Sequence, residues 1–282
     1  MAGIVWLASY PKSGNTWLRA FLANLFAGGQ KPVDINALSE FCANEGRRDL
    51  YERLSAKPID DLSIEELYNL RQEVHRLIAE SSPDHAFAKT HCSLSIIGGV
   101  ETVTPDVTAG AIYVVRNPLD VAVSFQGHFA VDLDAIVEAL CSPSYDLPTT
   151  NQQVHQHLGG WSDHVTGWRD APGLEPLLLR YEDVLRAPFT EFTKVTKYLK
   201  LPRDPERAKR AIRFSRFDEL AKQEASGGFD ERARVDQTFF RRGRTGQWRE
   251  ALNDTQVARL IECHGEVMTQ LGYLRKNGEP VF

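Results

Sequence analysis

The stretch that most constrains this chain is Tyr10-Pro11-Lys12-Ser13-Gly14-Asn15-Thr16-Trp17. An apolar run, Ile4-Val5-Trp6-Leu7-Ala8, leads into it and reads as a buried strand. Behind it Trp17, Leu18, Phe21, Leu22 and Leu25 recur at helical spacing. A strand, a tight turn at Gly14 and a helix start make a cradle for an anion. Backbone N–H groups of the first helical turn point at the ligand, and the helix dipole favours negative charge there. Lys12 adds a full positive charge, and Ser13 and Thr16 add hydroxyls. The turn lacks the first glycine and the Gly-Lys-Ser or Gly-Lys-Thr ending of a Walker A loop. Hydrolysis of ATP or GTP is therefore not its natural reading.

With 282 residues, 42% of them hydrophobic, the chain can bury a large core. One large domain over 1–282 is expected rather than two small ones. A net charge of −5 argues against non-specific binding of nucleic acid, which wants a basic face. An anionic ligand then needs locally clustered cations, and Arg241-Arg242-Gly243-Arg244 is such a cluster. Cys42, Cys92, Cys141 and Cys263 are scattered and form no C-x-x-C pair. They read as reduced, part-buried thiols in a reducing compartment. No charged-then-apolar leader precedes the first strand, and no apolar run reaches membrane-spanning length, so a cytoplasmic protein is expected.

Short continuous apolar runs at Ile4–Ser9, Ala86–Thr90, Ala111–Val115 and Leu177–Tyr181 suit parallel strands covered on both faces. Helical patterns lie between them. Ser63-Ile64-Glu65-Glu66 is a capping box opening a helix with Leu67, Leu70, Val74, Leu77 and Ile78 on one face. Pro188 leads into another helix, and Gly272 is placed to end the last one. The alternation predicts an α/β fold with a mostly parallel central sheet flanked by helices. The segments 141–160 and 225–242 are rich in Gly, Pro and polar residues and read as long, functional loops.

A second constellation follows the third strand run. Ala111–Val115 leads into Arg116-Asn117-Pro118-Leu119-Asp120-Val121-Ala122-Val123-Ser124. Arg116 stands at a strand end, where α/β sheets bind ligands. Asn117-Pro118 makes the turn, and Asp120 is placed to cap the next helix. Ser124 lies about a helical turn further on, so it can face the same crevice. Arginine suits planar, bidentate binding of a phosphate.

With these residues the chain resembles a sulfotransferase of the cytosolic type, with a bacterial flavour in Ala8-Ser9-Tyr10-Pro11-Lys12. That family uses 3′-phosphoadenosine 5′-phosphosulfate (PAPS). Tyr10 to Trp17 resembles its 5′-phosphosulfate loop, and Arg116 to Ser124 its 3′-phosphate motif. Arg241-Arg242-Gly243-Arg244-Thr245-Gly246-Gln247-Trp248-Arg249 resembles its late glycine-rich closing loop. Lys89-Thr90-His91, Gly160-Trp161 through Trp168 and Arg180-Tyr181-Glu182-Asp183 are smaller matches. The resemblance covers almost the whole chain and implies the P-loop-like sulfotransferase fold. It further implies that Lys12 contacts the 5′-phosphate and the bridging oxygen, and that Ser13, Gly14, Asn15 and Thr16 supply donors. Trp17 stacks on adenine, and Arg116 and Ser124 hold the 3′-phosphate with Arg241, Arg242 and Gly243 closing over it. Tyr181 and the segment Ser215 to Phe217 line the adenine pocket. His91 matches the catalytic base and Lys89 its companion lysine, so His91, Lys12, Lys89 and Ser124 form the catalytic set. The product is adenosine 3′,5′-bisphosphate, and no metal is required. Asn15, Arg242 and Gln247 stand where Thr, Lys and Asp are commoner in animal relatives. The segment Arg249-Glu250-Ala251-Leu252-Asn253 departs from the usual dimerisation sequence, which puts dimerisation by that route in doubt.

Other readings stay open at this point. A P-loop kinase would need a Walker A ending and a Mg²⁺ carboxylate, and a non-catalytic nucleotide-binding relative would need no His91. His128 stands in reserve as the base. His155 and His157 form an H-x-H pair without a nearby carboxylate or cysteine in the sequence. Trp161 and Trp168 read as core. Arg232 and Arg234 read as either a solvated face or part of the anion site. Phe125, Phe129, Tyr145, Phe229, Phe239 and Phe240 can form either an apolar acceptor wall or core. The acceptor is expected to be a small molecule, glycolipid or other natural product bearing a hydroxyl or an amine, and no nucleic acid.

Overall fold

The computed structural model describes residues 3–129, 131–232 and 238–281, except the side chains of 128 and 129. His128 and Phe129 as site candidates, and Arg234, therefore lie outside the described side chains. The elements that position the site are, in order, β1 (Gly3–Ser9), α1 (Asn15–Ala27), β2 (Cys42–Asn44), α2 (Ile64–Glu80), β3 (His85–Thr90), β4 (Thr108–Val115), α3 (Pro118–Phe129), α4 (Leu133–Cys141), α5 (Trp161–Arg169), β5 (Leu177–Arg180), α6 (Pro188–Tyr198), α7 (Pro205–Phe214), α8 (Phe217–Gly227) and α9 (Asp254–Gln270). The strands form one sheet in the order β2-β3-β1-β4-β5. β3 runs parallel to both its neighbours, with Gly3 opposite His85 and Ala8 opposite Thr90 on one side. Every residue of β1 is buried, as a strand covered on both faces demands. The fold is the expected α/β one.

The chain divides into two compact units. The first comprises Met1–Tyr10, Cys42–Tyr113 and Ser142–Leu178. Its core is built on Trp6, Tyr51, Tyr68, Tyr113, Trp161 and Trp168, all fully buried. α2 starts at the expected capping box, with Ser63 Oγ accepting from Glu66 N and Glu66 accepting from Ser63 N. The second unit comprises Pro11–Phe41, Val114–Cys141 and Leu179–Phe282. There α1 is buried on nearly all sides, not along one stripe, and encloses Arg19 and Asn24. A cluster of Ala20, Ala23, Ile35, Leu38, Leu220, Phe229 and Phe240 makes part of its core, so Phe229 and Phe240 are packing residues rather than an acceptor wall. Phe125 is fully buried too.

Four expectations are corrected. Cys141 and Cys263 are bonded, with Cα atoms 5.7 Å apart, because α4 and α9 lie side by side. A separation of 122 residues hides that neighbourhood from the sequence; Cys42 and Cys92 are buried free thiols. Asp120 does not cap α3. Asn117, just ahead of Pro118, does so by accepting from Leu119 N at 3.1 Å. Tyr181 opens a short helix and does not end β5. His155 and His157 do have a carboxylate: Asp146, brought close by a small hairpin, lies 3.3 Å from His155 Nε2 and 2.6 Å from His157 Nδ1. Among the described residues no helix is long and apolar enough to cross a membrane.

Candidate active site

The whole set of residues expected to hold the nucleotide falls in the second unit. Lys12 has φ 67° and Gly14 φ 106°, so the turn twists through left-handed backbone before α1 begins. A non-glycine residue in that region signals strain held for a purpose. Gly14 is required on two grounds, since a side chain there would also put Cβ 2.8 Å from Tyr181 Cδ2. Ser13 is fully buried, and its Oγ has no hydrogen-bond partner among the described residues. Asn15 is buried as well, while Thr16 and Trp17 are half-buried. Trp17 packs edge-on to Tyr181 and Phe192 and lines a small apolar cavity with Gly14, Leu18 and Val114.

Arg116 is only 6% exposed. Its Nη1 donates to the Lys12 carbonyl and its Nη2 to the Arg244 carbonyl, both at 3.1 Å, and its Cζ lies 4.5 Å from the Tyr181 ring centre. Its Nε has no partner, and no carboxylate stands within ion-pairing distance among the described residues. The motif around Tyr181 explains itself here. Tyr181 supports Arg116, and Glu182 accepts from Asn117 N at 3.0 Å and from Tyr273 Oη at 2.9 Å, which fixes the turn after β4. Burial pushes the Glu182 carboxyl above its ordinary pKa.

The late arginines join this group. Arg241 Nη2 donates to the Ser124 carbonyl at 3.0 Å, and its guanidinium lies where a Cβ on Gly127 would stand. Burial first, then the charges of Arg242 and Arg116, lower the pKa of Arg241. Three like charges so placed call for an anion. Gly243, at φ 56°, lies against Phe217; a Cβ there would be 2.3 Å from Cδ2. Ser215 is fully buried and its hydroxyl donates to Ile212 O, closing α7. Lys12 Nζ stands 4.0 Å over the Phe239 ring, which places Phe239 at the site. Arg242 and Arg244 both reach Glu250, at 3.7 and 3.0 Å. An orphaned hydroxyl, an arginine without a carboxylate and a helix N-terminus fit a polyanionic nucleotide.

The remaining catalytic candidates lie in the first unit. Parallel register aligns the ends of β1 and β3, so Ser9 meets His91. His91 Nδ1 stands 2.8 Å from the Ser9 carbonyl. A carbonyl can only accept, so Nδ1 carries the proton and Nε2 the lone pair of the neutral ring. His164 on α5 donates from Nε2 to the His91 carbonyl at 2.9 Å, and Tyr113 Oη lies 2.8 Å from its Nδ1. Burial lowers the His164 pKa to about 4, so that ring stays neutral and fixed. Lys89 is buried in β3 opposite Leu7 and Asn44.

Residues 3–272 match the family of the sulfotransferase domain. The chain belongs to that family. Sulfotransferase 1A1 of Rattus norvegicus is 23% identical over 278 residues, 95% of this chain and 85% of the rat one. Among solved structures, retinol dehydratase in complex with androsterone and the inactive cofactor PAP has the same fold. The TM-score is 0.64 at 17% identity, covering 97% of this chain and 83% of that one. Mouse sulfotransferase SULT7A1 complexed with PAP gives 0.59 at 20% identity, covering 95% and 85%. The chain is a sulfotransferase enzyme, and the kinase reading falls away.

Several residues that support these groups were not assigned these roles from the sequence. Beneath His91, Glu45 accepts from Arg71 at 3.0 Å, from Thr90 at 2.9 Å and from Tyr51 at 3.4 Å, all buried. Burial pushes the Glu45 carboxyl up, but Arg71, His75 and Thr90 outweigh it and hold it down at about 2. Arg19 makes a two-pronged ion pair with Glu231 at 2.9 and 2.7 Å. Asp120 and Glu224 accept from the backbone of the closing loop. Asp120 was legible as a residue of the turn after β4 but not as a loop anchor, and Ser9 had a clue in its place at the end of a strand beside the one that leads to His91.

Proposed function

We propose that this sulfotransferase moves a sulfuryl group from PAPS to a hydroxyl, or an amine, of a small apolar or glycolipid acceptor, with residues 1–282 acting as one domain. When bound, PAPS supplies the sulfuryl group on a phosphate leaving group. Lys12 neutralises the charge that builds on the leaving oxygen, and the amides at Gly14, Asn15 and Thr16 with the Ser13 hydroxyl bind the 5′-phosphate. Arg116, Arg241 and Arg242 bind the 3′-phosphate, with Ser124 beside them and Gly243 closing on Phe217 and the segment from Ser215. Tyr181 and Trp17 bound the adenine side. His91 Nε2 takes the acceptor's proton, its ring held by Ser9, and Lys89 supports it. Positioning and electrostatics carry the catalysis, by analogy with phosphoryl transfer, and no metal is invoked. Retinol dehydratase binds androsterone and retinol, and an acceptor of that hydroxylated apolar class is proposed here. A cytoplasmic location goes with the proposal; the Cys141–Cys263 bond weighs against it, since thiols there are kept reduced.

The observation that carries the reading is buried Arg116, which makes no ion pair and leaves Nε without a hydrogen bond among the described residues. A buried guanidinium needs a counter-ion, and a 3′-phosphate supplies one. Calorimetric titration decides this: adenosine 3′,5′-bisphosphate should bind more tightly than adenosine 5′-monophosphate. Equal affinities would remove the 3′-phosphate site. Turnover of labelled PAPS over an acceptor panel then separates an enzyme from a silent relative.

A further inference from the structure

The closing loop is held at both ends by buried carboxylates on two different helices. Glu224, 5% exposed on α8, accepts from Phe239 N on Oε1 at 2.7 Å and from Phe240 N on Oε2 at 2.9 Å. Asp120, 1% exposed in the first turn of α3, accepts from Gly246 N on Oδ2 at 2.8 Å and from Trp248 N on Oδ1 at 3.2 Å. Arg241, Arg242, Gly243 and Arg244 stand between these two clamps. Neither carboxylate makes an ion pair among the described residues, although arginines crowd the loop. Each uses both oxygens on loop N–H groups instead.

A carboxylate beside an anion site is electrostatically unfavourable for the anion. Two of them are tolerable only if the geometry they impose outweighs their charge. We infer that Asp120 and Glu224 are positioning residues for 3′-phosphate selectivity. They hold the loop so that Arg241 and Arg242 stay grouped with Arg116 despite their mutual repulsion. The like charges otherwise drive the loop outward, since Arg241 already feels both of its neighbours. This inference rests on the nucleotide reading above.

The two roles of these carboxylates predict opposite signs, which makes the test sharp. Asp120→Asn and Glu224→Gln remove a negative charge, which by itself tightens phosphate binding. An amide also offers one acceptor oxygen where two are needed, so one loop N–H loses its partner and the loop loosens. Adenosine 3′,5′-bisphosphate and adenosine 5′-monophosphate are titrated calorimetrically into wild type and each variant. The expected result is a Kd for the bisphosphate at least about tenfold higher, the size of one lost charge-assisted hydrogen bond. The monophosphate Kd should hardly move, because the loop at Lys12 to Thr16 is untouched. Amide exchange should quicken at Gly246 and Trp248 in Asp120→Asn, and at Phe239 and Phe240 in Glu224→Gln. Equal losses for both nucleotides would show a general packing role and overturn the inference. So would an unchanged or tighter bisphosphate Kd. A wild type without preference for the bisphosphate brings down the nucleotide reading and this inference together. If one variant does not fold, the other decides, since the clamps sit on separate helices.

Discussion

Arg71 and Arg116 are both buried, one in each unit, and they are provided for in different ways. Arg71 is fully enclosed and meets Glu45 at 3.0 Å, the Cys92 thiol at 2.8 Å and the faces of Tyr68 and Tyr51. Its charge is answered inside the fold, and the carboxylate that answers it is held ionised. Arg116 has backbone carbonyls, a tyrosine face and Glu182 near enough to feel its charge, but no ion pair among the described residues. The fold supplies the first arginine with a counter-ion, and in the proposed function the nucleotide supplies the second. An internally paired buried charge supports a structure, whereas a buried guanidinium without an ion pair suits the proposed 3′-phosphate. Arg19, buried against Glu231, belongs with Arg71.

The strongest way to break this contrast is to remove the inner counter-ion. Glu45→Gln should cost roughly 3–5 kcal/mol of unfolding free energy, the usual loss when a buried pair is broken. Chemical denaturation of the nucleotide-free chain measures it. The sign with pH follows from the lowered pKa. The folded carboxyl titrates at about 2 against an ordinary 4.5, so the unfolded chain binds the proton first. Its contribution is full above the unfolded value and drains away as pH falls from there towards 2. The wild type should lose stability over that acid window more steeply than Glu45→Gln. Parallel curves would mean that Glu45 is not the group that holds Arg71.

His91 comes next. It sits one residue beyond the strand anchored by this pair, and its ring is held at Nδ1 by the Ser9 carbonyl. His91→Ala should leave binding of adenosine 3′,5′-bisphosphate nearly intact and lower sulfuryl transfer by ~10²-fold or more. The rate of the wild type should fall in acid, since a protonated imidazole has no lone pair to offer. Across a graded series of phenols the loss should shrink as the acceptor grows more acidic. Equal turnover by wild type and variant on the least acidic acceptor removes His91 as the base.

How far this contrast was legible in the sequence differs between the two arginines. Arg116 could be found because it ends an apolar strand run and precedes Asn-Pro, a local pattern with a mechanism. The turn from Lys12 to Gly14, the strands around it and the capping box were legible for the same reason: each is written in consecutive residues. Glu45 and Arg71 lie 26 positions apart, and nothing near either one marks it. Arg19 and Glu231, 212 positions apart, are hidden in the same way. Asp120 was placed correctly but given the wrong partner, because a helix cap and a loop clamp need the same residue at the same turn. The Cys141–Cys263 bond also depends on two helices meeting, which spacing alone does not encode.

Arg116 supplies the next test. Arg116→Ala should weaken adenosine 3′,5′-bisphosphate by roughly 1.5–3 kcal/mol, the range for hydrogen bonds to charged groups. It should cost the nucleotide-free chain less than Glu45→Gln does, because no buried carboxylate is stranded. A larger loss of apo stability than in Glu45→Gln would place Arg116 with the internally satisfied arginines and erase the contrast.

The smallest effects test the same idea with hydroxyls in place of charges. Ser13 Oγ and Thr90 Oγ1 are both buried, in the turn before α1 and just before His91 respectively. Thr90 Oγ1 donates to Glu45 at 2.9 Å and accepts from Cys92 N at 3.1 Å, whereas Ser13 Oγ has no partner among the described residues. Thr90→Val keeps the shape and strands both partners, so it should cost about 1–3 kcal/mol without any ligand. Ser13→Ala removes a hydroxyl that nothing answers, so the apo chain should change by less than about 0.5 kcal/mol in either direction. With adenosine 3′,5′-bisphosphate present the order reverses. Ser13→Ala should then lose about 1.5 kcal/mol of binding, the low end for a hydrogen bond to a charged group, while Thr90→Val binds as the wild type does. Thermal melts of both variants with and without the nucleotide give all four numbers in one experiment. An apo loss in Ser13→Ala as large as that in Thr90→Val would show that the loop hydroxyl is satisfied within the fold, and the phosphate loop would no longer stand apart as the region left for a ligand to complete.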